Sequence, residues 1–159
     1  EAEVEVSQRL SPEEEAKNVL QDILDRSGYI ANVYIDGKTE DMISLEIKGD
    51  DISRIIGKEG QALDALQYIT SIIANKGKEI RKRINVEAGG YRKKQESRIE
   101  KIAGESAEEV IVSGKDVVLP PMTARERRIV HVTIKKNDKL MSYSTGERAD
   151  RRVVIAIKK

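Results

Sequence analysis

Apolar and polar residues along the chain recur with the periods of helices and of strands. The first helical pattern opens at Ser11-Pro12, where Ser11 is a favourable N-cap and Pro12 suits the first helical position. It continues until Gly28 through apolar residues at helical spacing, namely Ala16, Val19, Leu20, Ile23 and Leu24. Two alternating runs, at 33–35 and 43–47, then predict an antiparallel hairpin with its turn at Asp36-Gly37.

Two helices and a strand follow this hairpin. Residues 52–56 predict a short helix that ends at Gly57-Lys58-Glu59-Gly60, and a second helix begins at once and ends at Gly77. The expected inward residues of the second helix are Leu63, Leu66, Ile69, Ile72 and Ile73. A strand is predicted from about Ile80 to Val86, with Ile80, Ile84 and Val86 on one face and Arg81 and Arg83 on the other. The predicted order is therefore αββααβ.

Ala88-Gly89-Gly90 predicts a boundary, after which the pattern changes. A charged helix is expected from Tyr91 to about Val112, a short strand at 117–119, and a helix from the capping box Thr123–Glu126 to about Lys136. Two closing strands, Leu140–Tyr143 and Arg152–Ile157, are joined by a loop around Gly146. The fold class expected is α+β with two small domains, the second made of helices on a three-stranded sheet.

Composition excludes several classes of function. Without Cys and with a single His, the 159 residues offer no disulfide, no thiol chemistry and no set of ligands typical of zinc. No pair of carboxylates is singled out by its spacing, so we expect neither an enzyme nor a cofactor. No apolar run approaches the 18 to 20 or so residues that cross a bilayer, and no signal-peptide pattern is present, which predicts a cytoplasmic protein.

Charge is unevenly distributed although its sum is only +1. Residues 1–50 hold 5 basic and 13 acidic residues, and residues 51–159 hold 24 basic and 15 acidic. Residues 120–159 alone hold 11 basic and 4 acidic. This asymmetry predicts an anion-binding region in the later two thirds of the chain.

The turn at Gly57–Gly60 is the first candidate site. Two glycines before a helix permit a close approach to a phosphate backbone, although any turn between helices can use them. The segment Ile55–Tyr68 resembles the KH domain of the Jag family of bacterial RNA-binding proteins (SpoIIIJ-associated, KhpB), and the element order is similar to the type II KH arrangement. In KH domains this loop clamps about four nucleotides. The resemblance implies an RNA-binding site at Ile56, Gly57, Lys58, Glu59 and Gly60, in which Lys58 pairs with a phosphate and Ile56 lines the groove. Glu59 departs from the more basic pairs common at the two middle positions of the family's loop, and we expect it to repel phosphate and weaken binding.

The helix after Pro121 carries the second candidate site. At about 100° per residue, Arg127, Arg128, His131 and Lys135 share one arc, which is either a solvated charged face or a phosphate-binding one. Met122–His131 resembles the start of the domain named for an Arg and a His separated by three residues, here called the Arg-x-x-x-His domain, and Arg151–Ile155 is similar to its last strand. The resemblance implies that Arg127 and His131 bind single-stranded nucleic acid, supported by Arg128, Arg151 and Arg152.

The resemblance covers about residues 11–158 and implies a KH domain at 11–88 and a linking helix with the Arg-x-x-x-His domain at 89–159. Residues 1–10 are expected to be the remnant of a linker, with the N-terminal Jag domain absent from this chain. The function implied is binding of single-stranded RNA, with single-stranded DNA as a competing ligand, by an RNA chaperone or post-transcriptional regulator linked to cell shape and peptidoglycan homeostasis. The alternative is a protein-interaction scaffold that contacts a KH partner protein (KhpA) or the membrane insertase SpoIIIJ.

Overall fold

The chain forms two compact α+β units that divide between Tyr91 and Arg92. The structure is a computed structural model that describes residues 9–159. Most of the linker predicted over residues 1–10 therefore lies outside the described residues. None of the helices in the described part of the chain is long and apolar enough to cross a membrane. The predicted fold class, two small α+β domains, is confirmed.

The first unit has the predicted order αββααβ. Its elements are α1 (Pro12–Arg26), β1 (Ala31–Lys38), β2 (Met42–Gly49), α2 (Ile52–Ile56), a 3-10 turn (Lys58–Gly60), α3 (Gln61–Asn75) and β3 (Arg83–Ala88). The central strand β2 pairs antiparallel with β1 and parallel with β3. One face of β2 is fully buried through Ile43, Leu45 and Ile47, and α1 and α3 pack beside each other against this sheet. The core of this unit is aliphatic, as expected for a chain without Phe or Trp.

The hairpin turn does not lie at Asp36-Gly37, where the sequence predicted it. Strand β1 runs through both residues to Lys38, and the pairing register shifts between Ile35 and Gly37, so the Asp-Gly pair forms a β-bulge. The chain turns at Thr39 instead, where the Thr39 N–H donates to the Met42 carbonyl and the Thr39 hydroxyl accepts from the Met42 N–H. The prediction was wrong because Asp and Gly favour a bulge as well as a turn.

Helix α3 buries only part of the face that was predicted to point inward. Leu63 is buried and Leu66 is partly buried as predicted. Ile69, Ile72 and Ile73 are instead 44%, 53% and 47% exposed, and Thr70 and Ala74 are buried. The reason is that α3 lies along the edge strand β3, where the Gln67 side chain binds the Val86 backbone and the Asn75 side chain binds the backbone of Lys82 just before the strand, which fixes the rotation of the helix.

The third strand starts three residues later than predicted. It begins at Arg83, whose N–H donates to the Asp41 carbonyl, and the Lys82 backbone is held by the Asn75 amide. Ile80 therefore lies outside the strand and is 79% exposed instead of inward-facing.

The second unit has two long helices and the predicted three-stranded sheet. Its elements are α4 (Tyr91–Ser113, whose first residue belongs to the first unit), β4 (Val117–Val118), α5 (Ala124–Ile134), β5 (Leu140–Thr145), a 3-10 turn (Arg148–Asp150) and β6 (Arg152–Ile157). Strand β6 is central and pairs antiparallel with β4 and β5. Helix α5 begins at the capping box predicted from Thr123 and Glu126. The hydrophobic core is again aliphatic and includes Val130, Ile134, Val153 and Ile155.

Candidate nucleic-acid interface

Both glycines of the Gly57–Gly60 loop are required by the backbone of the loop itself. Helix α2 ends at Gly57 with φ of 70°, and α3 begins after Gly60 with φ of 77°, values that L-residues rarely adopt. A Cβ on Gly57 would lie 2.7 Å from the Cβ of Ala62, and one on Gly60 would lie 2.7 Å from Cε1 of Tyr91. The loop therefore turns tightly between two helices before any ligand is considered.

The two middle residues of the loop are presented to solvent. Lys58 and Glu59 are exposed, whereas the neighbouring Ile56 is half-buried against the core. Glu59 has φ of 53° and ψ of 25°, so a non-glycine residue occupies the left-handed region at the apex of the loop. The exposed side chains at this apex are thus one cation and one anion.

A groove between α3 and β3 starts about one helical turn beyond the loop. Its upper part is lined by Asp64, Gln67, Tyr68, Ser71, Arg83 and Ile84. Its lower part, about 480 Å³ in volume, adds Ile72 and a basic rim that consists of Lys76, Arg81 and Lys82. An exposed tyrosine ring beside a row of cations can stack on a base while its phosphates are neutralised.

This groove was not predicted from the sequence, although two sequence features pointed to it, namely the exposed arginines near β3 and a polar stripe on α3. Arg81 and Arg83 were predicted on an exposed strand face, and both line the groove. Gln67, Ser71 and Asn75 lie four residues apart and form a polar stripe along α3. The Gln67 side-chain carbonyl accepts from the Val86 N–H at 2.9 Å, and the Asn75 amide pairs with both backbone groups of Lys82 at 2.8 Å. Such a stripe on an otherwise apolar helix indicates that the helix covers a strand edge.

The second candidate site is a basic pocket between α5 and the end of β5. Its volume is about 380 Å³, and its lining residues are Ala124, Arg127, Arg128, His131, Val132, Lys135, Ser144 and Arg151. Four of the described lining residues are cations and none is a carboxylate. The structure thus brings together Arg127, Arg128, His131 and Lys135, which the sequence placed on one arc, with Arg151, and it adds Ser144. Arg152 lies outside the described lining, with its Nε donating to the Asp150 carbonyl at 3.0 Å.

The arginines of this basic pocket are partly held by backbone carbonyls. The Arg127 guanidinium donates through Nη1 to the Met122 carbonyl at 2.9 Å, just before the first turn of α5. Arg151 donates through Nη1 to the Gly146 carbonyl at 3.2 Å. Because a guanidinium carries five N–H donors, each of these side chains keeps further donors for an anion.

The single His is fixed on both sides of its ring. His131 Nδ1 lies 2.7 Å from Ser142 Oγ, and Nε2 lies 3.0 Å from Ser144 Oγ. Burial, and then the positive charge of Arg127, lower the pKa of His131 below its usual value of 6.5, which favours the neutral imidazole at pH 7. The ring therefore does not contribute a cation to the basic pocket at neutral pH.

Comparison with known proteins places a domain in each unit. A model of the KH domain of KhpA and KhpB matches residues 13–86, and the model of the R-three-H domain, the Arg-x-x-x-His domain above, matches residues 97–156. The chain is 30% identical to the RNA-binding protein KhpB of Clostridium symbiosum over 148 residues, which cover 92% of this chain and 67% of that protein. It is also 30% identical to the RNA-binding protein KhpB of Bacillus subtilis over 158 residues, which cover 98% and 76%. Neither domain belongs to an enzymatic family.

Proposed function

Because the chain belongs to the KhpB family of RNA-binding proteins, we propose that it binds single-stranded RNA through two separate sites, the KH loop with its groove and the basic pocket of the second unit. The KH domain in this proposal spans residues 11–88, and the Arg-x-x-x-His domain with its linking helix spans 89–159. The observation that carries the proposal is the basic pocket, where four cations surround a space without a carboxylate among its described lining. A polyanion is the ligand that such a pocket favours.

In the KH domain, the proposed RNA path runs from the Gly57–Gly60 loop into the groove. Lys58 offers a point charge to a phosphate at the loop, and the groove continues with Arg83 and Arg81 along β3. Tyr68 and Ile72 supply the apolar surface on which bases lie. Glu59 opposes phosphate binding at the apex, so we expect modest affinity for this half.

The KH site is tested by replacing Lys58 and Glu59 together with Asp, which changes the charge by −2. A matched control is Lys48→Asp, which makes the same change on the face of β2 that points away from the core. We expect the loop variant to lose RNA affinity at least tenfold and the control to stay near wild type, measured by fluorescence anisotropy at fixed salt. RNA binding at full strength in the loop variant would exclude the loop as a site.

The basic pocket is tested by Arg127→Ala combined with His131→Ala. Because a neutral His contributes no charge, the charge change of −1 is matched by Arg125→Ala, an exposed residue of α5 outside the described lining of the pocket. We expect weaker RNA binding and a plot of log affinity against log salt whose slope is shallower by about 0.7 for each phosphate that the variant no longer neutralises. An unchanged titration would refute this site assignment.

A second candidate function is contact with a KH partner protein of the KhpA type. The exposed face of α3, formed by Tyr68, Ile69, Ile72 and Ile73, supports it, because adjacent exposed apolar residues mark interaction surfaces. Ile69 and Ile73 lie outside the described groove lining, so Ile73→Asp separates the two functions. We expect this variant to bind RNA normally but to lose a purified KhpA-type protein in calorimetry, with exposed Ile30→Asp as control. Unchanged partner binding would exclude this face.

For the physiological role, we propose a cytoplasmic RNA chaperone or post-transcriptional regulator linked to cell shape and peptidoglycan homeostasis. In the alternative role, a scaffold near the insertase SpoIIIJ, RNA binding is secondary. Cells that carry the Lys58→Asp and Glu59→Asp changes distinguish the two, because loss of normal shape supports the RNA route and normal shape supports the scaffold. We also expect bound RNA to remain intact with added Mg²⁺ or Mn²⁺, since RNA would be held and not cleaved.

A further inference from the structure

The hydroxyls of Ser142 and Ser144 occupy both nitrogens of the His131 ring, which restricts what this His can do. Both serines belong to β5 and are half-buried, and they alternate with the exposed Met141, Tyr143 and Thr145. A ring with a hydroxyl at each nitrogen has no lone pair or N–H left over for a phosphate. The resemblance implied that His131 binds the nucleic acid, and direct donation from its ring would break one of these two bonds.

The two serines differ in their relation to the basic pocket. Ser144 lines the basic pocket beside Arg127 and Arg151, whereas Ser142 lies outside its described lining. A phosphate oxygen only accepts hydrogen bonds, so a serine that contacts it must donate its single proton to it. Ser144 can do this only if it accepts from the His131 ring and does not donate to it.

A neutral imidazole satisfies this requirement in one of its two tautomers. When the proton is on Nε2, the ring donates to Ser144 Oγ, and Nδ1 accepts the proton of Ser142. The Ser144 proton is then not used by the ring and can be donated to a group in the basic pocket that Ser144 lines. In the other tautomer, Nε2 takes the Ser144 proton and the hydroxyl has nothing left to donate.

We propose that Ser144 is a phosphate-binding residue of the basic pocket and that His131, held by Ser142, is a positioning residue that turns the Ser144 hydroxyl toward the phosphate. The proposal rests on the proposed function, since it names a further contact of that same site. The ligand group is a phosphate of the single-stranded RNA backbone. His131 thus acts through Ser144 in this site, and Arg127 contacts the phosphate directly.

The test uses the full chain with the Lys58→Asp and Glu59→Asp changes, so that binding of a short oligouridylate reports the second unit. We expect Ser144→Ala to weaken binding about tenfold, as for a hydrogen bond to a charged group, and Ser144→Thr to restore it because the hydroxyl is kept. Ser142→Ala should weaken binding two- to threefold by releasing the ring. Binding by Ser144→Ala equal to that of the starting protein, while Arg127→Ala still weakens it, would overturn the proposal and leave the proposed function intact. If Arg127→Ala also has no effect, the basic pocket itself is excluded.

A spectroscopic measurement on the His131 ring, first with both serines intact, gives a second readout. The chain has one His, so its imidazole ¹⁵N signals need no assignment. We expect saturation with the oligouridylate to place the ring proton on Nε2 at pH 7, and Ser142→Ala to reduce that preference. A ring proton on Nδ1 in the complex would overturn the proposal, since Ser144 would then donate to the ring.

Discussion

Replacing Gly57 with Ala separates the structural need for this glycine from its proposed role in RNA binding. Gly57 combines a φ of 70° with a Cβ position 2.7 Å from the Cβ and 3.2 Å from the N of Ala62. Because both contacted atoms belong to the backbone or are attached directly to it, they cannot move away by a side-chain rotation. Two other glycines provide matched controls, since Gly28 and Gly77 have φ values of 73° and 71° with no heavy atom within 4 Å of the added Cβ.

The size of the effect follows from comparing these three sites. The left-handed backbone costs Ala about 1 kcal/mol at each site, and this cost cancels in the comparison. Forcing a methyl group into a filled space costs about 1–3 kcal/mol more. We therefore expect Gly57→Ala to lower the free energy of unfolding of the first unit by about 2–4 kcal/mol, against about 1 kcal/mol for Gly28→Ala or Gly77→Ala.

Hydrogen exchange of the slowest amides of β2 measures this loss in the first unit alone. Adding Ala62→Gly to Gly57→Ala removes the facing methyl group, so the double variant should recover about 1–3 kcal/mol relative to the sum of the single changes. Equal losses at all three glycines, or no recovery in the double variant, would refute the reasoning. A confirmed steric loss would mean that weak RNA binding by Gly57→Ala cannot be assigned to the loop's contacts with RNA.

Three further predictions concern single side chains. Thr70 is fully buried, and its Oγ1 has no hydrogen-bond partner among the described residues. Thr70→Val should therefore raise the free energy of unfolding by about 1 kcal/mol in the same hydrogen-exchange assay. A lower free energy of unfolding would show that the Thr70 hydroxyl is hydrogen-bonded. Glu59→Asn should raise the free energy of unfolding of the first unit by roughly 0.5–1 kcal/mol, because Asn tolerates the left-handed backbone region. The same change should tighten RNA binding, because it removes a negative charge from the loop. Weaker binding would instead show that Glu59 contacts the RNA. Burial acts to raise the pKa of Glu126, but hydrogen bonds from Thr123 and Gln95 outweigh it and hold this pKa below its ordinary value of 4.5. The stability that this lowered pKa gives is present above the unfolded pKa of Glu126 and is lost as the pH falls through its folded pKa. Glu126→Gln should therefore make acid unfolding of the second unit less steep below about pH 4.5. An unchanged acid profile would contradict this expectation.

Local chemistry determined much of this fold directly. The capping box from Thr123 to Glu126, the start of α1 at Ser11-Pro12 and the glycines at 57 and 60 each act within a few residues of chain. The predicted order αββααβ is confirmed for the same reason, since periodicity and turn residues report on neighbours. The residues of the basic pocket that share one helix, Arg127, Arg128 and His131, could also be grouped in advance because helical spacing sets their common face.

Tertiary structure decided the features that depend on distant residues. An apolar stripe shows that α3 has an apolar face but not whether another part of the chain covers it. Here the Gln67 amide anchors the helix to the edge strand and the Asn75 amide anchors it to Lys82 just before that strand, which leaves Ile69 and Ile73 exposed. The groove beside β3 exists only because two segments meet. The partners of His131 lie 11 and 13 residues away on a strand, so only packing could show that the signature His is held by two serines. Sequence alone therefore identified the charged residues that line the basic pocket, whereas long-range packing formed the groove and determined which atoms of the pocket residues remain free to bind.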